Sequence, residues 1–171
     1  MYDLLGVEFN TDNQSGDVTM NQGGLANEVL KTVGMLDSNN KIAPEATMPL
    51  VTDADGPPFD EPLEYSSSAG MFIYLSRNSR PNIHFVVHQC ARFTHNPRRD
   101  HTESVNRICL YLIATQGQGL TFDPNSYMKL DCSVDADFAW LCKHEYDQYA
   151  VCVKSRTGYV ITLVLCPLHW L

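Results

Sequence analysis

The chain has 171 residues, 44% of them hydrophobic, and a formal net charge of −8 at pH 7. That length suits one ordinary domain or two small ones, and the apolar fraction is typical of globular rather than disordered chains. No stretch approaches the ~18–20 apolar residues of a membrane span. The first residues lack the basic start and apolar run of a secretory signal. We therefore expect an intracellular protein, cytoplasmic or nuclear, that is not secreted and has no membrane partner.

The charge is unevenly distributed along the chain. Residues 1–64 carry twelve acidic groups against two lysines, a balance of −10, whereas residues 109–171 carry four basic and six acidic groups, a balance of −2. Residues 76–108 carry six arginines against two acidic groups, a balance of +4. These arginines are Arg77, Arg80, Arg92, Arg98, Arg99 and Arg107. A basic segment within an acidic chain is compatible with contact to a polyanion. The alternative is a solvated helix surface, and charge alone favours this alternative.

The first third of the chain predicts a hairpin and one helix. Residues 4–9 are predicted to form a strand and residues 17–22 its hairpin partner, across a polar, glycine-containing turn. Residues 24–34 show helical spacing of apolar side chains, and Gly34 is predicted to stop the helix. Residues 36–63 hold five of the nine prolines, which indicates a long irregular connection.

Three helices are predicted in the middle of the chain. Residues 65–77 suit a buried helix, and Pro81 is well placed as the first residue of a second one. Asn96-Pro97 should end that helix, with Asn96 capping the third helix and Pro97 in its first position. We expect helices over 81–94 and 97–114 that pack through two apolar faces. The faces consist of Ile83, Val86, Val87, Cys90 and Phe93, and of Val105, Ile108, Cys109, Leu112 and Ile113.

From Gly119 the apolar period changes to two. Residues 119–122, 130–134, 151–153 and 158–165 are predicted strands, with a polar excursion at 142–150. Because no helix follows to cover the second face of the sheet, the fold is expected to be incomplete. The predicted class is α+β: an N-terminal β-hairpin plus helix, a helical middle segment and a truncated C-terminal β-sheet.

A series of motif segments extends over essentially the whole chain: LLGVEF at 4–9, MNQGGLANEVLKTVGM at 20–35, EYSSSAGMFIYL at 64–75, SRPNIHFVVHQCARFTHNP at 79–97, VNRICLYLIAT at 105–115, SVDADFA at 133–139 and KSRTGYVITL at 154–163. In this order the segments resemble the region of copia-type LTR retrotransposon polyproteins in which reverse transcriptase gives way to RNase H. The resemblance implies a reverse transcriptase tail over 1–63, a helical connection over 64–118 and the first strands of an RNase H-like domain over 119–171.

The sequence departs from the family pattern in several places. Asn82 stands where the family usually has Asp, and Ser66 where it has Arg, Lys or Gln. Val164-Leu165 replaces a Gly-Gly pair, which in a strand marks a tight bend that Val-Leu would obstruct. Residues 169–171 replace the usual continuation. The resemblance further implies that the paired polymerase aspartates would precede Met1 and a catalytic Glu would follow the last residue.

The resemblance also implies a metal site. RNase H chemistry uses two divalent ions held by several carboxylates, with Mg²⁺ as the usual ion. By motif, Asp135 would be the first ligand and catalytic residue. Asp137, two residues on, shares its strand face if the strand continues, and Asp131, four residues earlier, is a further candidate on that face. The alternative is an acidic strand end on a surface sheet. One carboxylate pair would hold Mg²⁺ weakly, so we expect Mg²⁺ in the parent family and no tightly bound ion here.

Other candidate sites are weaker. His84 and His88 lie one helical turn apart, a spacing that suits zinc, but no intervening Glu and no third ligand lie nearby in sequence. Partly exposed structural histidines are the favoured interpretation. The six cysteines contain no C-x-x-C pair, which favours small buried thiols over disulfides or a metal cluster.

Two functions from different classes follow. The first is a fragment of a retrotransposon reverse transcriptase/RNase H polyprotein, ancestrally active in RNA-directed DNA synthesis and hybrid cleavage, and expected to be inactive as it stands. The second is a non-catalytic nucleic-acid-binding or protein-interaction module on the basic helices, which would contact RNA or DNA through phosphates. Clustering of the six arginines on one exposed face would favour the second, and scattering the first. An active nuclease would need carboxylates that the sequence does not supply in the family's arrangement.

Overall fold

The structure is a computed structural model that describes residues 2–36, 43, 44, 50, 57, 62–137 and 156–171. The strands are β1 Tyr2–Leu4, β2 Val7–Thr11, β3 Val18–Asn21, β4 Leu120–Phe122, β5 Leu130–Asp137, β6 Arg156–Leu163 and β7 Cys166–Trp170. The helices are α1 Gly23–Thr32, α2 Pro62–Asn78, α3 His84–Ala91 and α4 Arg99–Ala114, with a 3₁₀ turn at Pro81–Ile83. The chain divides into two compact units, Met1–Asn125 and Ser126–Leu171. The described residues thus combine helices with two antiparallel sheets, which is compatible with the predicted α+β class.

The first unit contains an antiparallel sheet in the order β1-β2-β3-β4. The predicted hairpin partner, β3, pairs with β2 as expected. The prediction of one strand over residues 4–9 is wrong, because Leu4 and Val7 face each other across a two-residue turn. Leu5 and Gly6 in that turn have φ values of 55° and 76°. Positive φ at both central residues is the geometry that matches the twist of a tight hairpin.

Strand β4 returns to the first sheet after all four helices. Leu120 pairs with Met20 and Phe122 with Val18 of β3, whereas the apolar period of two had grouped residues 119–122 with the strands that follow. The approach is close at Gly119, where an added Cβ would overlap the carbonyl oxygen of Met20. Glycine is therefore required for β4 to reach β3. The division between the two units falls after Asn125.

The core of the first unit lies among its helices. Helix α1 ends before Gly34, whose φ of 71° is the left-handed conformation that glycine adopts without strain, as predicted. The apolar faces predicted for the middle helices are buried, except that Phe93 and Ile113 are only partly so. The main buried side chains are Val29, Leu30, Tyr65, Phe72, Leu75, Ile83, Val86, Val87, Cys90, Val105, Ile108, Cys109 and Leu112. Each large one contributes about 1.5–3 kcal/mol through removal from water.

Two helix boundaries differ from the prediction. Residues 81–94 begin as a 3₁₀ turn and are α-helical only over His84–Ala91. The next helix begins at Arg99 with Arg98 as its N-cap, so the cap predicted at Asn96 is wrong. The physical reason is a local hydrogen bond, because His101 Nδ1 accepts the backbone N–H of Arg98 at 3.0 Å. This bond satisfies one of the donors left free at a helix start.

The second unit contains an antiparallel sheet in the order β5-β6-β7. The predicted strand 158–165 is too long at its end, because β6 stops at Leu163 and a two-residue turn leads into β7. Val164 in that turn has φ 61°, a conformation that a β-branched residue adopts only under strain. The strand predicted at 151–153 and the excursion at 142–150 lie outside the described residues.

Of the helices in the described part of the chain, none has both the length and the hydropathy needed to cross a membrane.

Candidate functional site

The predicted metal ligands lie on β5. Alternation along the strand puts Asp131, Asp135 and Asp137 at positions of one face. Asp135 pairs with Gly158 of β6 and is exposed. Residues two apart on a strand are about 6.6–6.8 Å apart, so Asp131 and Asp135 lie about 13 Å apart along β5. Asp131 is therefore too far along the strand from Asp135 for both carboxylates to bind one ion.

These carboxylates do not make a complete magnesium site by themselves. Asp131 is already in an ion pair with Lys129, at 2.8 Å between Asp131 Oδ1 and Lys129 Nζ. Within residues 2–36, 62–137 and 156–171, no group of three or more His, Cys, Asp or Glu side chains is arranged to hold a metal. Mg²⁺ prefers near-octahedral oxygen ligation, and one strand approaches an ion from a single side. The described residues therefore do not fit the two-metal arrangement, and no catalytic step follows from them.

Arg80 is a buried residue that joins two segments of the first unit. It is 3% exposed, which removes it from the arginines predicted to contact nucleic acid. Its guanidinium donates to the Thr115 carbonyl at 3.0 Å and also to Thr115 Oγ1, and it lies 5.7 Å from the centre of the Tyr111 ring. Burial lowers the pKa of Arg80, and Tyr111 offsets part of this shift. Arg80 thus satisfies the carbonyl at the end of α4 rather than a phosphate.

The other arginines differ in exposure and surroundings. Arg77, Arg92 and Arg99 are exposed, whereas Arg98 and Arg107 are half-buried. Arg92 donates to Gln89 Oε1 at 2.8 Å and lies 5.3 Å from the Phe93 ring centre. Arg99 is 4.0 Å from the Glu103 carboxylate, a surface pair worth little energetically.

The six arginines do not share one face. Tyr65 of α2 donates to the Cys90 carbonyl at 2.9 Å, and Ser66 donates to the Thr94 carbonyl at 3.2 Å. The start of α2 therefore lies beside the end of α3, and the two helices are antiparallel. Arg77 lies twelve residues after Tyr65, about 18 Å along α2 at 1.5 Å per residue. It is thus at the opposite end of the helix pair from Arg92.

The structure brings His84 and His88 together on α3. Their ring centres are 4.3 Å apart and the rings are tilted by 51°. Burial is the main cause that lowers the pKa of His84 to about 4, with smaller contributions from His88 and Arg77. Burial also lowers the pKa of His88, again with a contribution from Arg77. Both imidazoles are therefore neutral at pH 7.

The described cysteines are mostly buried thiols, as the sequence indicated. Cys90, Cys109 and Cys166 are buried and Cys132 is exposed. Burial raises the pKa of both the Cys90 and the Cys109 thiol to about 12. Such thiols carry almost no thiolate at neutral pH and are poor nucleophiles.

Sequence reasoning missed the polar contacts that join distant segments. Ser79 donates to Gln22 Oε1 at 2.8 Å, and both side chains are buried. The His101 ring stacks on Phe93 with centres 3.9 Å apart, although His101 was not singled out as a core residue. A histidine on the polar side of a helical pattern carries no local signal of burial, so only the packed structure places it.

Comparison with known proteins finds homologues among transposon polyproteins. The retrovirus-related Pol polyprotein from transposon RE2 of Arabidopsis thaliana is 28% identical over 143 residues. The Pol polyprotein from transposon TNT 1-94 of Nicotiana tabacum is 33% identical over 106 residues, and the putative transposon Ty5-1 protein of Saccharomyces cerevisiae is 29% identical over 106 residues. The chain is a homologue of retrovirus-related Pol polyproteins from transposons. The predicted copia-type recognition is confirmed.

The extent of the Pol homology matters for its interpretation. The match to the RE2 polyprotein covers 84% of this chain but only 9% of that polyprotein. The corresponding shares are 62% and 7% for the tobacco Pol polyprotein, and 62% and 32% for the yeast protein. No family profile matches the chain, and no solved structure matches it.

Proposed function

We propose that the chain is the segment of a copia-type Pol polyprotein in which reverse transcriptase ends and RNase H begins. The observation that carries the proposal is the extent of the homology. A match of 143 residues is longer than the first unit, Met1–Asn125, so it includes residues of both units. One polyprotein thus supplies the relatives of the helical unit and of the sheet that follows it.

The second unit supports the same assignment through its register. The described residues of the two motif segments, 133–137 of SVDADFA and 156–163 of KSRTGYVITL, fall on β5 and β6, which are paired along their whole described length. Asp135 of the first motif faces Gly158 of the second. The motifs are thus parts of one sheet, as expected for the opening of a single domain, and Asp135 is the proposed relic of a metal ligand.

The ancestral role in this proposal is RNA-directed DNA synthesis and cleavage of RNA–DNA hybrids, with Mg²⁺ as the ion of the parent polyprotein. We further propose that the chain as it stands is catalytically inactive. Cleavage needs two metal ions around one phosphate, whereas Asp135 and Asp137 are positions of a single strand. Scattering of the arginines over both ends of the α2–α3 pair also favours a remnant over a dedicated binding surface.

An activity assay tests the proposal directly. The purified chain should neither cleave an RNA–DNA hybrid nor extend a primer, in Mg²⁺ or in Mn²⁺. The matched control is Asp135→Asn, which should behave as the wild type does. Hybrid cleavage that needs Mn²⁺ or Mg²⁺ and disappears in Asp135→Asn would contradict inactivity while supporting the RNase H assignment. The reading frames in the flanking genomic DNA test the origin independently, because paired polymerase aspartates should be encoded upstream.

A non-catalytic nucleic-acid-binding module is the second candidate. It rests on the corner where α3 leads into α4, which carries the exposed Arg92 and Arg99 and the half-buried Arg98. Binding through phosphates alone should be weak, insensitive to sequence and steeply salt-dependent. The double variant Arg92→Gln/Arg99→Gln should reduce the salt slope by about 1 to 2 in a fluorescence anisotropy titration. Arg77→Gln, at the far end of α2, is the control, and equal losses in both variants would exclude a site at the corner.

A further inference from the structure

Strand β5 is an open edge of the second sheet. In the described part of the chain it pairs with β6 on one side, and no strand pairs with its other side. Residues 131–136 are all exposed. β5 contains no proline, whereas β7 at the opposite edge contains Pro167, which cannot donate a backbone hydrogen bond. β5 is therefore the edge better able to accept another strand.

The hydrogen bonds to β6 show which backbone groups of β5 are directed outward. The Val164 N–H donates to the carbonyl of Lys129, the residue before β5, at 2.7 Å. The pairing of β5 with β6 then continues without a register shift. Because alternate residues of an antiparallel pair make the ladder hydrogen bonds, the odd-numbered residues of β5 bond to β6. The even-numbered residues direct their N–H and C=O groups to the open edge. They are Leu130, Cys132, Val134 and Ala136.

We propose that β5 pairs antiparallel with β5 of a second copy of this chain, about a two-fold axis at Cys132. A two-fold axis perpendicular to the sheet keeps each face on the same side, so residues of the same face lie opposite one another. With the axis at Cys132, Leu130 lies opposite Val134 of the second copy. The six strands then form one sheet whose exposed apolar positions continue across the junction.

Charge complementarity selects this register. Lys129 lies opposite Asp135 of the second copy, and the two-fold axis repeats this pair of opposite charges. The Lys129 side chain is 64% exposed and reaches Asp131 in its own chain at 2.8 Å, so it lies on the face that carries the aspartates. An axis at Asp131, Ser133 or Val134 would instead put Asp131 opposite an aspartate of the second copy. Like charges directly opposite one another are destabilising.

Pairing of strand edges gives a weak dimer. The junction adds backbone hydrogen bonds and a few cross-strand contacts, and it leaves both faces of the sheet exposed. An interface of this kind is smaller than those of permanent complexes. We therefore expect association that depends on protein concentration.

Sedimentation velocity of the full chain over a range of protein concentrations measures this association. The mass should rise from that of one chain towards that of two. Asp135→Lys should weaken the association by roughly fivefold to tenfold, because both symmetric pairs become repulsive. Adding Lys129→Asp to the same chain should restore it. Glu28→Lys, at an exposed position of α1, makes the same change of net charge and is the matched control.

Cys132 reports the register directly. Opposed residues of a hydrogen-bonded pair have Cα atoms about 5.5 Å apart, within the range of a disulfide. Cys142 and Cys152, outside the described residues, are replaced by serine so that Cys132 is the exposed thiol of known position. Oxidation with copper phenanthroline should then join two chains, seen on a non-reducing gel. Cys132→Ser/Val134→Cys should not be joined, because position 134 lies opposite Leu130.

Three results would overturn the proposal. The first is a wild-type chain that stays monomeric at every concentration, which needs no variant to fold. The second is an Asp135→Lys variant that associates as the Glu28→Lys control does. The third is a dimer joined through Val134→Cys rather than through Cys132, because the strands would then pair in another register.

Discussion

The two units of the chain differ in how they bury apolar surface. Among the described residues, seventeen of the eighteen buried hydrophobic side chains belong to Met1–Asn125, and Cys166 alone belongs to the second unit. The second unit instead carries seven of the twelve exposed large hydrophobic side chains, although it is much the shorter. They are Tyr127, Met128, Leu130, Val134, Leu165, Leu168 and Leu171.

The difference follows from the secondary structure of each unit. The four helices of the first unit bury their apolar stripes against one another. A three-stranded sheet has two faces, and β5 alternates exposed apolar residues such as Leu130 and Val134 with exposed aspartates. Side-chain packing should therefore stabilise the helical unit strongly, whereas backbone pairing should dominate in the described part of the sheet.

The largest expected effect comes from one substitution made in both units. Leu112→Ala in α4 should lower the free energy of unfolding by about 2–5 kcal/mol, because Leu112 is 0% exposed and its loss leaves a cavity. Leu130→Ala in β5 should change it by less than about 0.5 kcal/mol, since Leu130 is 66% exposed. Urea denaturation of each variant measures both values. Similar losses in the two variants would show that the face of β5 is covered in solution.

An intermediate effect is expected at the turn between β6 and β7. Val164→Gly should stabilise this hairpin by about 1 kcal/mol, because it relieves the left-handed strain at a cost in chain entropy. Leu5→Gly, at the corresponding left-handed position of the β1–β2 turn, should give a smaller gain, since leucine is not β-branched. Hydrogen exchange of peptides from each hairpin provides the measurement. A larger gain at Leu5 would contradict the inference that Val164 is the more strained of the two residues.

A further effect is a pH dependence expected in the helical unit. His84 has an ordinary pKa of 6.5 and a folded pKa lowered to about 4, chiefly by burial. Between these values the unfolded chain binds more protons, so stability should fall as the pH drops from 6.5 to about 4 and then level off for this group. Hydrogen exchange over that range should show the loss in α2 and α3, and His84→Gln should flatten it. An unchanged slope in the variant would assign the dependence to other groups.

Local periodicity predicted the helices because each one buries a face that its own sequence defines. Val86, Val87 and Cys90 recur at helical spacing, and the structure buries them together. The start of α4 was not predictable in the same way, since its cap depends on His101 reaching back to Arg98. The turns at Leu5-Gly6 and Val164-Leu165 were not predicted either, because each lies within an apolar run that has the pattern of one longer strand.

Longer-range relations required the structure. No local pattern indicates that residues 120–122 pair with β3 rather than with the strands that follow, because strand period does not specify a partner. Arg80 has the same sequence character as the exposed arginines, yet its partner Thr115 lies 35 residues away. For the candidate metal site, the shared face of Asp135 and Asp137 followed from strand alternation. The further ligands of such a site come from other elements, which alternation along one strand does not specify.

The rates of replacement at Gly117 and Gly119 can show whether this fold is under selection. A Cβ at Gly119 would collide with the β3 backbone, whereas a Cβ at Gly117 would meet nothing within 4 Å. In copies of a retroelement that drift freely, codons 117 and 119 should accumulate replacements at the same rate. In copies whose product must still fold, codon 119 should remain glycine while codon 117 varies. The ratio of changes at these two codons therefore distinguishes a decaying insertion from a protein that its host retains.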